Sequence, residues 1–267
     1  METLILGGGT FVGRRMVEHL REAGHQVTVL NRGKTSTDLP AGVKRIVGDR
    51  TSTESMRQAL EGTEWDAVID VSGFVMAAGG GLFDELIDLL DSRVGAYVFV
   101  SSIMAYEPTG LMPWTEDQPH RDDPDTTYGG FKAHAERAIL DRFASTGFPG
   151  SIGRPAAIYG PDNNIHDMET AMFLRLRRGL PILIPHEGLV TTSYGHVDDL
   201  CTNLLEMALL PAVRGEVVNL TGEGCSAREY AILLAQIVGA EPDIIEVPAW
   251  NRDGQAPFGH LFKDKHH

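Results

Sequence analysis

Over the first 150 residues, short apolar runs alternate with apolar positions at helical spacing. Residues 3–6 form an apolar run stopped by glycines, after which Val12, Met16, Leu20 and Ala23 recur at helical spacing until Gly24. Residues 27–30, 44–47, 67–71 and 96–100 read as further strands, and residues 82–90 and 131–143 as helices. Strands alternating with helices imply right-handed crossovers and a parallel sheet covered on both faces. Beyond residue 150 the pattern loosens. Ile152 begins another apolar stretch, and residues 160–164 (Gly-Pro-Asp-Asn-Asn) form a loop. Residues 169–178 read as a helix and 181–184 as extended, and residues 197–210 and 226–238 are two more helices. The last opens with Ser226 three residues before Glu229, a capping-box pattern. A polar, proline-spaced tail follows from Glu241. The expected architecture is α/β: a Rossmann-type, doubly wound parallel sheet over residues 1–160. A mixed region, 161–267, is expected to contribute to the sheet and to a small C-terminal substrate lobe.

A chain of 267 residues fits one large or two small domains and is long enough to bury a sizeable core. Apolar residues make up 42% and charged residues 22%, which excludes disordered, collagen-like and disulfide-scaffold classes. Apolar runs such as residues 96–100 fall far short of the ~18 residues of a membrane helix. No signal peptide is expected from Met1-Glu2-Thr3, which lacks a basic start. Cys201 and Cys225 have no metal-ligand spacing, so a reducing, cytoplasmic setting is expected. The ten histidines form no His-Glu-x-x-His or paired Cys/His pattern, so no metal is expected. The net charge of −14 argues against nucleic acid as a partner, because phosphate binding rests on Lys and Arg.

Candidate chemistry begins at Gly7-Gly8-Gly9-Thr10-Phe11-Val12-Gly13, between the first strand and the first helix. That is where a dinucleotide's pyrophosphate rests on helix N–H groups, and glycine lets the backbone approach it. The second strand ends in Asn31-Arg32, with no carboxylate to bind ribose hydroxyls. Arg32 is a candidate partner for a 2′-phosphate, so the cofactor is expected to be NADP or NAD with a lean to NADP. Asp49, after the third strand, is a candidate for the adenine amino group.

The most informative set is Ser101-Ser102 after the fifth strand, followed by Tyr128 and Lys132. Tyr and Lys four residues apart share one helix face. A cation there is expected to lower the phenol's pKa, so that it exchanges a proton with a substrate hydroxyl or carbonyl. A serine hydrogen-bonds the same oxygen.

With these residues the chain resembles an extended short-chain dehydrogenase/reductase of the NAD-dependent epimerase/dehydratase group. Residues 97–102 (Tyr-Val-Phe-Val-Ser-Ser), 153–161 (Gly-Arg-Pro-Ala-Ala-Ile-Tyr-Gly-Pro) and 196–200 (His-Val-Asp-Asp-Leu) add to the resemblance, which covers about residues 1–250. It implies Tyr128 as the acid/base and Lys132 as the group that binds the nicotinamide ribose and tunes the phenol. Ser102 is implied as the substrate-orienting hydroxyl, with Ser101 its rival. Cofactor contacts are implied at Gly7, Gly9, Thr10, Phe11, Val12, Gly13, Asn31, Arg32, Asp49, Arg50, Ser72, Gly73, Tyr128, Lys132, Pro155 and Ile158. Substrate contacts are expected at Ser102, Asn163, His166 and Tyr194.

Three departures narrow the expectation. The dehydratases carry Asp-Glu after the catalytic Ser/Thr, where this chain has Ile103-Met104, so water elimination is not expected. Many nucleotide-sugar epimerases carry an arginine four residues before the histidine, where this chain has Thr192. The chain also ends several tens of residues before such enzymes do, leaving the lobe open or completed by another chain, as in a homodimer. The Gly-Gly-Gly-Thr turn and residues 194–197 (Tyr-Gly-His-Val) also resemble the chloroplast stem-loop RNA-binding branch. An enzyme acting on a polar, sugar-like small molecule is preferred over an RNA-binding relative or a cofactor-sensing regulator.

Overall fold

The computed structural model describes residues 1–33, 39–77, 81–109, 112–164, 169–185, 188–189 and 191–247. Strand and helix alternate through β1 (Glu2–Leu6), α1 (Phe11–Glu22), β2 (Gln26–Asn31), β3 (Lys44–Val47), α2 (Thr53–Leu60), β4 (Ala67–Asp70), α3 (Leu82–Leu90), β5 (Tyr97–Val100), α4 (Tyr128–Thr146) and β6 (Gly150–Pro155). They are followed by β7 (Ala157–Tyr159), α5 (Glu169–Arg177), β8 (Ile182–Pro185), β9 (Thr191–His196), α6 (Val197–Leu209), β10 (Val217–Leu220), β11 (Gly224–Ser226), α7 (Ala227–Val238) and β12 (Ile244–Val247). Among the described residues no helix is long and apolar enough to cross a membrane.

The chain divides into two units. The first comprises residues 1–162 and 195–221, and the second residues 163–194 and 222–267. In the first, seven parallel strands run in the order β10-β6-β5-β4-β1-β2-β3. This is the doubly wound order, with the chain reversing direction across the sheet beside β1, where ligands of such sheets bind. Side-chain alternation sends Ile5, Val29, Ile69 and Val98 to one face, under α1 and α6. Leu4, Leu6, Val68 and Phe99 go to the other, under α2, α3 and α4. Because both faces are covered, the strands read as continuous apolar runs rather than alternating ones.

Two elements escape the apolar pattern. Helix α2 has only Met56 and Leu60 buried and is set by its Ser52 cap, which accepts the Ser55 N–H. Strand β10 interrupts its apolar run with Asn219, yet pairs with β6 as the sheet's seventh strand. The second unit packs α5, α7, β8 and β12 around Leu176, Ile182, Ile184, Ala231 and Leu234. Within it β8 and β12 pair in parallel, and the Ser226–Glu229 capping box closes at both ends.

Candidate functional site

The strand order places the C-terminal ends of β1 to β4 side by side. A cleft opens there, lined by Gly7, Gly9, Thr10, Asn31, Arg32, Asp49, Arg50, Thr51, Ser72 and Val75. Its floor leaves no space for larger residues. A Cβ on Gly13 would lie 2.2 Å from the Gly7 carbonyl oxygen. A Cβ on Gly7, where φ is +102°, would lie 2.4 Å from Ser72. Phe11 buries its side chain in the core and Val12 packs against the same cluster, so the turn meets the cleft through its backbone and Thr10.

The polar side chains around this cleft are largely engaged with one another. Asn31 accepts the Gly33 N–H at 3.0 Å. Asp49 accepts from the Thr51 N–H and hydroxyl at 3.0 and 2.7 Å. Arg50, 5% exposed, grips the fully buried Asp70 with two N–H groups, at 2.6 and 2.5 Å, and reaches the Ser72 hydroxyl at 2.9 Å. The Tyr97 hydroxyl donates to the same carboxylate at 2.7 Å. Arg50 therefore braces the cleft wall, and its Nε is a buried donor without a hydrogen-bond partner among the described residues. Arg32 is exposed on the rim.

Strand β5 delivers Ser101 and Ser102 to the same sheet edge, and they part company there. The Ser102 hydroxyl caps a short 3₁₀ turn, Ile103–Ala105, accepting the Met104 N–H at 3.1 Å, and it lowers the pKa of the Tyr128 phenol. The Ser101 hydroxyl instead donates to buried Glu136. Tyr128 is the first residue of α4, whose Thr127 cap accepts the Gly130 N–H. Two glycines follow because neither has space for a Cβ: on Gly129 it would meet the Met104 carbonyl at 2.5 Å, and on Gly130 the Pro124 carbonyl at 2.1 Å. Phe74, from the 3₁₀ turn Gly73–Met76 after β4, packs its ring edge-on to Tyr128 at 5.1 Å. Gly73 permits this turn, since a Cβ there would press on Phe99 at 2.8 Å.

Lys132 lies one helical turn beyond Tyr128, 3% exposed, and donates to the Val100 carbonyl at 2.6 Å. Its Nζ sits 5.6 Å from the Tyr128 ring centre. Burial lowers its pKa to about 8, with Asp70 and Glu136 opposing that and Arg50 adding to it. The expected pull of Lys132 on the phenol is not what sets Tyr128 here. Burial raises the phenol, and the Ser102 hydroxyl lowers it without fully offsetting the rise. Because Tyr128 is 42% exposed, solvent weakens the burial effect, and the Ser102 hydroxyl is the specific influence. The lysine's charge is directed to the end of β5 instead.

Of the remaining expected contacts, Pro155 ends β6 beside Leu220, and Ile158 is core. In the second unit, Asn163 donates to Glu169 at 2.8 Å and Tyr194 stacks on Tyr230 at 4.2 Å. His166 lies outside the described residues. Among the described residues, no group of three or more His, Cys, Asp or Glu is placed to hold a metal. Residue-by-residue reading passed over Asp70, Thr51, Phe74, Val75, Glu136 and Arg154. The signal for Glu136 was present, since Tyr128, Lys132 and Glu136 recur every four residues on one face of α4.

Comparisons with known proteins bear on the family and the fold. Residues 3–221 match the NAD dependent epimerase/dehydratase family. The chain is 28% identical over 280 residues to the chloroplast stem-loop binding protein of 41 kDa b of Arabidopsis thaliana, covering 98% of this chain and 70% of that protein. It is 26% identical to a UDP-glucose 4-epimerase of Streptomyces lividans, covering 94% and 85%. Its fold is similar to that of a dTDP-glucose 4,6-dehydratase from Bacillus anthracis solved with NAD, with a TM-score of 0.79 at 19% identity over 94% of this chain and 86% of that one. With a match that runs from β1 through β10, the chain belongs to the NAD dependent epimerase/dehydratase family.

Proposed function

We propose that this protein is a cytoplasmic, nicotinamide-dinucleotide-dependent oxidoreductase or epimerase. It acts on a hydroxyl or keto carbon of a polar, sugar-like small molecule through Ser102, Tyr128 and Lys132. The observation that carries this reading is that Ser102, just past β5, and Tyr128, at the start of α4 one turn before buried Lys132, stand at the sheet edge that also bears the glycine turn.

The cleft's residues fit a dinucleotide. Gly7 and Gly13 leave backbone where any Cβ would collide, so a pyrophosphate can approach the N-terminal turn of α1 closely. The partnerless buried Nε of Arg50, in the cleft wall, offers a donor to an acceptor on the adenosine half. Arg32 on the rim is the side chain on which a preference for NADP rests. A nicotinamide dinucleotide, when bound, supplies hydride transfer to or from carbon.

The chain's own part is proton handling. Tyr128 Oη exchanges the proton of the reacting hydroxyl or carbonyl, as a general acid–base group. Ser102 Oγ donates to the ionised phenol and so favours it. Lys132, held by the Val100 carbonyl, places a cation behind the tyrosine. The 3₁₀ turn after Ser102 offers Ile103 and exposed Met104 where elimination of water would need an acid and a base, so the reading excludes dehydration.

A panel of nucleotide sugars and free sugars, incubated with enzyme and NAD or NADP, tests the proposal. Products are read by mass spectrometry and reduced cofactor by absorbance. Epimer formation or cofactor reduction in wild type, lost in Tyr128→Phe, supports it, and equal activity in the two proteins contradicts it. The Arabidopsis relative's name also motivates an RNA reading, against which the net charge of −14 stands. Submicromolar binding to a stem-loop RNA at ~150 mM salt, with a steep salt slope, would favour that reading instead.

A further inference from the structure

Beneath the Ser101-Ser102 turn lies a charged cluster that proton transfer at Tyr128 does not itself use. Glu136 on α4 is fully buried, and Arg154 on β6 is 1% exposed. Arg154 Nε donates to both Glu136 carboxylate oxygens, at 3.0 and 3.1 Å, and its Nη2 reaches one of them as well. His120, 25% exposed, places Nε2 at 2.7 Å from Glu136 and 2.8 Å from Arg154. The Tyr106 ring lies 4.2 Å from the guanidinium. Burial works against the Glu136 charge, but hydrogen bonds from His120, Arg154 and Ser101 outweigh it and hold the carboxyl below its ordinary range.

Two features link this cluster to the reacting hydroxyls. Ser101 is held from both sides: its N–H donates to the Gly153 carbonyl of β6 at 2.7 Å, and its hydroxyl donates to Glu136. The next residue is Ser102. In addition, the segment joining Ser102 to Tyr128 is pinned at its base by the same arginine, whose Nη1 reaches the Glu116 carbonyl at 3.4 Å. Asn219 of β10 secures that segment further, accepting the Tyr106 hydroxyl at 2.6 Å and taking Glu116 Oε1 on its own N–H at 2.8 Å.

We infer that Glu136 and Arg154 are positioning residues for the Ser102–Tyr128 pair. Locked to each other under the turn, they fix Ser101 and thereby the place of the neighbouring Ser102 hydroxyl, which lowers the phenol's pKa. The inference deepens the proposed function and rests on Tyr128 being the proton carrier. A buried ion pair is a poor way to gain stability, since well-packed apolar residues often serve as well. What it supplies here is direction: a carboxylate held at two points by a guanidinium cannot swing, so neither can the serine bonded to it.

The phenol's own ionisation is a readout that a merely structural role would not move. Ser102 lowers the Tyr128 pKa, so a displaced Ser102 lets it rise. The charged groups beside this tyrosine are Lys132, behind its ring, and Arg121, whose side chain lies against Gly129. Both are left in place. Tyrosinate absorbance is titrated in wild type, in Ser101→Ala, and in the paired variant Glu136→Met with Arg154→Met. Each is measured against the same protein carrying Tyr128→Phe, so that the difference isolates one phenol of six. The pair is replaced together because either single change strands a buried charge.

The expected result is a rise of the Tyr128 pKa by about 0.5 or more in both variants, with NAD affinity unchanged. A phenol that ionises at the same or a lower pH in both overturns the inference. So does a loss of NAD binding with the phenol unmoved, which would make the pair a general scaffold. If the paired variant does not fold, Ser101→Ala decides alone. The titration needs no substrate, so its failure is distinct from that of the proposed function, which is read from turnover in Tyr128→Phe.

Discussion

Replacing Lys132 by methionine is expected to stabilise the fold at neutral pH while removing the residue's function. The lysine is 3% exposed, and burial lowers its pKa from 10.5 to about 8. The folded chain therefore holds this proton less tightly than the unfolded chain does. The resulting cost is complete below about pH 8 and is lifted as pH rises toward 10.5. The gap between the two pKa values is worth roughly 3 kcal/mol at neutral pH. Methionine forfeits the bond to the Val100 carbonyl, about 1 kcal/mol. It strands no carboxylate, because Asp70 keeps Arg50 and Glu136 keeps Arg154. The net gain is on the order of 1–2 kcal/mol. Urea denaturation of both proteins, from neutral pH to about 10, checks it. The variant's advantage should shrink steadily above about pH 8. A variant less stable than wild type at neutral pH, with a difference that does not change with pH, would mean that burial does not destabilise the Lys132 charge.

Gly13→Val should weaken NAD and NADP binding together, because its Cβ would fall 2.2 Å from the Gly7 carbonyl; calorimetry showing unchanged affinity in a folded variant would contradict this. Asp70→Ala should cost about 3–5 kcal/mol, because it leaves the Arg50 guanidinium buried without its counter-charge. Thermal or urea unfolding reads that loss, and a change below about 1 kcal/mol would mean that solvent reaches Arg50. Arg32→Ala should lower NADP affinity several-fold more than NAD affinity, and an unchanged ratio of dissociation constants would remove Arg32 from cofactor selection.

The sheet and its glycine turn were legible because both depend on local pattern. Buried parallel strands must be apolar throughout, and a turn closed against its own carbonyl must be glycine at residue 13. The cap of α7 was legible for the same reason: Ser226 and Glu229 close their box. What eluded the sequence was which polar groups would meet across the fold. Arg50 follows the third strand and lines the cleft, but its grip on Asp70, twenty residues on, has no local signal in the sequence. Ser101 and Ser102 are adjacent and chemically alike, and only Glu136, brought beneath by α4, separates a structural hydroxyl from a candidate catalytic one. β10 went unrecognised because Asn219 interrupts its apolar run, and that residue is there to bind Tyr106 and the segment around Glu116.

Tyr128 is proposed to carry the proton at a dinucleotide-dependent site. The measurement that tests it most directly compares turnover and dinucleotide affinity in wild type and Tyr128→Phe, on whichever sugar-like substrate the panel identifies. Phenylalanine keeps the ring that packs on Phe74 and removes only the hydroxyl. Turnover should fall by roughly 10²–10⁴-fold with NAD or NADP affinity retained. Wild-type turnover in Tyr128→Phe would contradict it.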